Sequence, residues 1–475
     1  MAQELLPDLC VIGAGSAGLS VAAGASQMGA SVVLIEKGRM GGECLNSGCV
    51  PSKALLAAAH EAHARRSAAR FGLDASEPAI DLAKVYDHVH SVIAEIAPQD
   101  SPERYEGLGV RVIQAPARFT GPDAVEADGI KVRARRFVLA TGSRPALPPI
   151  EGLERVSFYT NEDIFDSRIE PGHLIVIGAG PIGVELGQAY RRLGATVTLL
   201  EANRLLSRDD PELARLLAER LKAEGVVVEE GVRVSRVEGH GSGIAVEFAR
   251  DGERHRIEGS HLLVAAGRRA NIEGLDLERA GVSADERGIK VDRRLKTSNR
   301  RIYAIGDAVG PYRLTHVAGY HAGIVIRNAL FRLPARVDYG ALPWVTYTDP
   351  ELAHVGLKAD EARERLGAGV RILRWAFNEN DRAVAERQTD GLVKLVTTKR
   401  GRILGATILG ARAGELIQPW GLAIARRLKA IAIANMIAPY PTYGEVNKRV
   451  AGSFYTPALF SKRTARIVRL LARLG

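Results

Sequence analysis

Gly41-Gly42-Glu43-Cys44-Leu45-Asn46-Ser47-Gly48-Cys49-Val50-Pro51-Ser52-Lys53 is the stretch that decides how this chain is read. The chain has 475 residues and three cysteines, and two of the three, Cys44 and Cys49, share this one glycine-bounded segment. Cysteines so scarce seldom cluster as packing filler. The pair therefore reads as a redox disulfide rather than as two core residues that happen to be close. In a regular helix, positions five apart hold their Cα atoms more than about 7 Å apart, too far for a bridge. The backbone between the cysteines is expected to be distorted, with Asn46 and Gly48 supplying the freedom. Pro51 suits the first turn of a helix that carries Lys53. A tight loop beside a helix N-terminus lowers a thiolate's pKa and favours a labile disulfide.

Upstream lies a buried apolar strand that runs from Leu9 into Gly13-Ala14-Gly15-Ser16-Ala17-Gly18. In such a fingerprint Gly13 makes the tight turn, Gly15 lets backbone approach a pyrophosphate, and Gly18 allows close helix–strand packing. The next strand ends in Glu36, the acid expected to accept from a ribose hydroxyl. The whole unit recurs downstream, with Gly178, Gly180 and Gly183 followed by a strand ending in Glu201. Two dinucleotide-binding units in one chain imply two dinucleotides, and electrons passing between them. Glu201 accepts from a 2′-hydroxyl but repels a 2′-phosphate, so NADH is favoured over NADPH; Arg204, close by in sequence, pulls the other way. Tyr303-Ala304-Ile305-Gly306-Asp307 delivers an aspartate at the carboxyl end of a strand, where open α/β sheets bind ligands. From about residue 343 the pattern changes to a separate α+β domain.

Composition excludes several classes. Hydrophobic residues make up 46% and charged residues 25%, the balance of a water-soluble chain, and no apolar run approaches the roughly 18 residues that span a bilayer. The first residues carry acids and no basic stretch, so no secretory signal is expected. Three cysteines do not build a structural disulfide framework, which favours a reducing cytoplasm; Cys10, inside a buried strand, reads as inert packing. The formal charge is +10, and the segment 461–475 holds Lys462, Arg463, Arg466, Arg469 and Arg473 with no acid. Nucleic-acid binding would want aromatics interleaved with those cations, and that segment has none, so no nucleic-acid partner is expected.

The order of these motifs resembles the class I pyridine nucleotide–disulfide oxidoreductases, among them dihydrolipoamide dehydrogenase, glutathione reductase and mercuric reductase. The resemblance rests on the redox segment, both glycine fingerprints, Ala140-Thr141-Gly142, the Tyr303–Asp307 run and Thr348-Asp349-Pro350-Glu351. It implies an α/β fold of two Rossmann-like dinucleotide-binding domains, for FAD and NAD, plus a C-terminal α+β dimerisation domain. The expected boundaries are 1–155 and 273–340 for the FAD domain, 156–272 for the NAD domain and 341–475 for the interface. It also implies that Gly13, Gly15, Gly18, Glu36, Lys53, Ala117, Thr141, Gly142, Asp307 and His316 hold or flank FAD. Gly178, Gly180, Gly183, Glu201, Val234 and Gly267 are expected to hold the nicotinamide nucleotide. Lys53 and Glu185 are expected to pair beside the flavin, with Cys49 the flavin-proximal thiolate and Cys44 the thiol that meets substrate.

One motif departs from the family. Its thiol-substrate signature, His-Pro-Thr-x-x-Glu from the other subunit, reads here Tyr440-Pro441-Thr442-Tyr443-Gly444-Glu445. The glutamate remains, but histidine near pKa 6.5 exchanges protons at neutral pH, whereas tyrosine near 10 is mainly a donor. No cysteine follows Cys49, so the C-terminal cysteine pair of mercuric reductases is absent. The leading expectation is therefore a homodimeric, NADH-dependent disulfide oxidoreductase with a small-molecule or lipoyl-type disulfide substrate and no metal site. A mercuric reductase-like or NADH:quinone or metal-ion reductase is the alternative, and a membrane-associated flavoprotein scaffold without turnover is the third reading. The segment 461–475 has Ile467, Leu470, Leu471 and Leu474 on one helical side and its cations on a neighbouring stripe. That pattern suits either peripheral contact at the inner membrane surface or packing on the protein's own dimer.

Overall fold

The computed structural model describes residues 3–474, so the first two residues of the expected FAD domain and Gly475 of the tail fall outside the described residues. Contacts divide the chain into two units, one of residues 1–63, 78–200 and 232–337, the other of 64–77, 201–231 and 338–475.

In the first unit, Leu9–Ile12 is wholly buried because every one of its side chains is apolar, the pattern of a central parallel strand. It lies between Val32–Glu36 and Arg136–Leu139 in a five-stranded sheet completed by Val110–Gln114 and Ile302–Ala304 at the edges. All four pairings are parallel. The second copy of the pattern builds the same arrangement, with His173–Ile177 paired in parallel to Thr196–Glu201 and to His261–Val264. The turns after the two leading strands match almost angle for angle: φ is 104° at Gly13 and 103° at Gly178. A side chain at Gly18 would sit 1.8 Å from the Gly13 carbonyl oxygen, and one at Gly183 2.0 Å from that of Gly178. Only hydrogen fits where each helix crosses its strand, which is why both fingerprints keep the third glycine. A meander of Arg233–His240, Gly243–Arg250 and Glu253–Gly259 carries Val234 at a bulge.

The second unit is built on an antiparallel sheet in the order Pro343–Thr346, Glu351–Gly356, Ile403–Gly410, Leu392–Thr398, Val370–Ala376. Helices from Gln418–Ala425 and Glu445–Ser453 cover it, with Trp420 fully buried and its indole N–H donating to Asn447 at 2.8 Å. Lys394, mid-strand and 5% exposed, is held by Asp210 and Glu212 at 2.8 and 2.9 Å, since a buried cation is tolerated only when paired. Among the described residues, no helix is long and apolar enough to cross a membrane.

Candidate redox site

The redox segment folds as the short helix Gly42–Asn46, a break, and the long helix Cys49–Arg66 with Pro51 in its first turn. The expected backbone distortion is present, but Asn46 does not supply it. Asn46 lies inside the short helix and its side-chain amide donates to the carbonyls of Met40 and Gly42 at 3.0 and 2.8 Å. The break falls at Ser47, where φ is −149°, and at Gly48, where a Cβ would meet the Glu43 carbonyl oxygen at 2.9 Å. Gly48 is needed for close approach, with no left-handed φ involved.

Cys44 and Cys49 are both free thiols here, and Cys10 is a buried third. The neighbouring Cys44 thiol is the largest influence lowering the Cys49 pKa, to about 6, and the same pairing raises that of Cys44. Burial opposes ionisation of Cys49, but the Thr315 hydroxyl, 3.4 Å from its sulfur, and the Lys53 charge add to the pull of Cys44. These contacts favour the negative charge at Cys49 over Cys44. Cys10 contrasts with both: it is fully buried in Leu9–Ile12, and burial alone drives its pKa up.

Lys53 lies one turn along the same helix as Cys49, so its side chain shares that face. Its ammonium contacts Glu185 Oε2 at 2.8 Å and Ser52 Oγ at 3.3 Å. Glu185 sits on Pro181–Arg192, the helix of the second fingerprint, and is 5% exposed. The redox helix and the helix of the second fingerprint thus meet in an ion pair between residues 132 apart in sequence.

The glycine turns have the features a dinucleotide needs. Gly15 caps Ser16–Gln27 with no side-chain cap, and Gly180 does the same for Pro181–Arg192 with open space where a side chain would be. Backbone N–H groups at such helix starts suit phosphate oxygens. Glu36 accepts from the N–H groups of Ala14 and Gly38 at 2.6 and 2.8 Å, which holds the acid against the first turn. Asp307, in the turn after Ile302–Ala304, accepts from Ser143 Oγ at 2.7 Å. The adjacent Gly306 N–H donates to His321 Nδ1 at 3.1 Å; burial lowers the pKa of His321 to about 4, so at neutral pH the ring is uncharged and able to accept. Thr141 Oγ1 donates to the Asn271 carbonyl at 2.6 Å, Gly142 and Gly267 have φ of 71° and 131°, and Ala117 is buried. His316 is exposed in the first turn of Thr315–Ala329.

Residues 7–322 match the family described as pyridine nucleotide-disulphide oxidoreductase, and residues 342–451 match the dimerisation domain of that family. The chain belongs to the pyridine nucleotide-disulphide oxidoreductases. It is 36% identical to a mercuric reductase of Streptomyces lividans over 455 residues, 94% of this chain and 96% of that one. It is 38% identical to a dihydrolipoyl dehydrogenase of Thermus scotoductus over 464 residues, 95% of this chain and 98% of that one. A solved structure of the HOCl-induced flavoprotein disulfide reductase RclA from Escherichia coli, as its Cu(II) complex, superposes with a TM-score of 0.84 at 25% identity. That match covers 94% of this chain and 99% of RclA. As an oxidoreductase of this family, the protein is a flavoprotein that binds FAD and a pyridine nucleotide, with a redox-active disulfide and a dimerisation domain.

Tyr440 and Glu445 lie in the second unit. The hydroxyl of Tyr440 does not turn to Glu445; it donates to Asp381 at 2.9 Å, and that bond raises the tyrosine pKa. Two partners escaped the sequence reading. Thr315 immediately precedes a residue already singled out, so its neighbourhood was legible although its contact with Cys49 was not. Asp381 lies 59 residues before Tyr440, and no local pattern connects them.

Proposed function

We propose that this oxidoreductase is an NADH-dependent disulfide reductase, dihydrolipoamide dehydrogenase-like in its parts, that acts as a cytoplasmic homodimer on a small-molecule or lipoyl-type disulfide. The Cys44–Cys49 pair set beside the Lys53–Glu185 ion pair carries the reading. Bound FAD supplies a two-electron relay from the nicotinamide nucleotide to the disulfide. Cys49 is then the sulfur kept as thiolate by Cys44, Thr315 and Lys53, while Cys44 retains its proton and is the thiol presented to substrate. Glu185 holds the Lys53 ammonium in place. The open glycine turns, Glu36 and Asp307 fit FAD, and the matching second turn with Glu201 fits NADH. Arg204 supports NADH over NADPH, because its guanidinium donates to the carbonyls of Ser207 and Asp209 at 3.1 and 3.2 Å within its own loop. We assign the FAD domain to 1–155 and 273–340, the NAD domain to 156–272 and the interface to 341–475.

A second reading, electron transfer to a soft metal ion or quinone, is supported by the mercuric reductase relatives and by a tyrosine at position 440. The absence of any cysteine after Cys49 weighs against a thiol relay for metal. An anaerobic NADH titration followed by a panel of disulfides, Hg²⁺ and quinones separates the two, and the disulfides are expected to reoxidise the enzyme fastest. Absence of turnover with every acceptor, despite normal flavin loading, would leave only the scaffold reading.

Tyr440, kept protonated by Asp381, is a hydrogen-bond donor at neutral pH. Tyr440→His is expected to raise dihydrolipoamide oxidation by about tenfold or more, because a base is restored to the motif. Unchanged or lower activity in a folded dimer would show that pocket shape sets specificity.

The tail reading concerns Lys462–Leu471, a helix capped by Ser461 that has no buried residue. Leu470 and Leu471 are 62% and 58% exposed, and the cations face solvent with them. We propose peripheral contact with anionic lipid at the inner membrane surface. Co-sedimentation with anionic vesicles is expected to fall with salt and to be lost in a chain ending at Phe460. Equal, salt-insensitive partitioning of both chains would assign the helix to the dimer instead.

A further inference from the structure

Glu43 stands one residue before Cys44, and its carboxylate turns inward. It forms an ion pair with Arg268 and accepts from Asn161 Nδ2 at 2.9 Å. The same Asn161 amide donates to the Ser47 carbonyl at 3.1 Å, two residues before Cys49. One buried side chain, 6% exposed, therefore grips the redox turn on both sides of its helix. Arg268 completes the hub: it donates to Asn161 Oδ1 at 3.3 Å, to Ser143 Oγ at 2.8 Å and to the Ser143 carbonyl at 3.0 Å. Its guanidinium lies 3.9 Å from Asp307, which itself accepts from Ser143. Nothing in the redox chemistry proposed above uses Glu43, Asn161 or Arg268, yet Glu43 and Asn161 bind the redox turn and Arg268 ties them to Ser143 and Asp307.

We infer that Glu43, Asn161 and Arg268 form a strap that fixes the Cys44 turn against the Asp307 turn, so that the two sulfurs stay within closing distance through each redox cycle. Forming the disulfide from the thiol–thiolate pair breaks the Cys44 S–H bond, makes one S–S bond, and releases one proton to solvent and two electrons to the oxidant, the bound flavin or an external disulfide. Opening it reverses this. A turn anchored at residues 43 and 47 leaves little backbone freedom to the reduced pair, which raises the effective concentration of one thiol at the other and favours the disulfide. Glu43, Asn161 and Arg268 are positioning residues in this scheme. Burial pushes the Glu43 carboxyl up to about 7 against the pull of Arg268, with Asp307, Cys49 and Glu162 as the other charges facing it. The ion pair therefore weakens as pH falls through that value.

The inference rests on the redox reading of Cys44 and Cys49, and the experiment keeps the two apart. The flavin-loaded enzyme is equilibrated with dithiothreitol buffers of varied ratio, and its free thiols are counted by alkylation. The reagent gives up two electrons and two protons to open the enzyme disulfide and closes into its own ring. Glu43→Ala and Asn161→Ala are each expected to move the equilibrium about tenfold toward the dithiol, the effect of losing one charge-assisted or buried hydrogen bond. Glu43→Gln, which keeps the Asn161 contact, is expected to move it less than about threefold. The rate at which NADH bleaches the flavin is expected to stay within about twofold in all three, a split that general loosening would not produce. Wild-type equilibria in both alanine variants would overturn the strap while leaving the redox pair intact. Failure of the wild-type enzyme itself to form a disulfide would instead overturn the redox reading. Loss of flavin from both alanine variants would also overturn the strap, because the cluster would then be a flavin-holding device.

Discussion

Cys44→Ser is expected to show long-wavelength absorption with flavin bound and no reductant added, while Cys49→Ser shows none in any redox state. In the first variant Cys49 can no longer be tied into a disulfide, so it stands permanently as the thiolate beside the flavin. In the second, the donor sulfur is gone. Both variants are expected to lose disulfide reduction by at least about 10³-fold, since interchange needs the pair. In the reduced wild type the band should be present at pH 7 and fade as pH falls through about 6, where Cys49 takes up its proton. The sign follows from the lowered pKa: the absorbing form is the deprotonated one, so acid removes it. Unaltered spectra in both variants would end the redox-disulfide assignment.

The second large effect belongs to Lys53. Lys53→Met removes the cation that is held 2.8 Å from Glu185 and that helps keep Cys49 ionised. Reduction of the flavin by NADH is expected to slow by about 10²-fold, the usual cost of removing one preorganised charge from a site where charge develops. The Cys49 titration should move upward from about 6 at the same time. A slower reductive half-reaction with an unmoved thiol titration would separate the flavin-side role of Lys53 from its effect on the thiolate. No change in either would mean that the ion pair is structural. Glu185→Gln should show the same pattern more weakly, because the ammonium remains but is less firmly placed.

Much of the protein is legible in the sequence alone, for reasons that are local. The glycine turns depend on backbone angles and near contacts of a few residues, so Gly13-Ala14-Gly15 and Gly178-Ala179-Gly180 declare a strand–turn–helix wherever they occur between apolar runs. Five-residue spacing between Cys44 and Cys49, with Gly48 between them, announces a broken helix for the same reason. The family's pattern even paired Lys53 with Glu185 across the chain.

What the sequence could not determine is which polar side chains meet when distant strands are laid side by side. Asn161 reaches Glu43 and Ser47, Arg268 reaches Ser143 and Asp307, and Tyr440 reaches Asp381, because the fold brings together segments far apart in sequence. Asn46 departs from its expected role for a related reason. Its side chain finds the Met40 and Gly42 carbonyls only once the short helix exists, and the break falls instead at Ser47 and Gly48. Hydrogen bonds and charges act over a few ångströms of space, whatever their separation along the chain. The sequence by itself therefore determined the two cysteines of the redox segment and the two nucleotide folds, and the tertiary structure decided which distant side chains hold that segment in place.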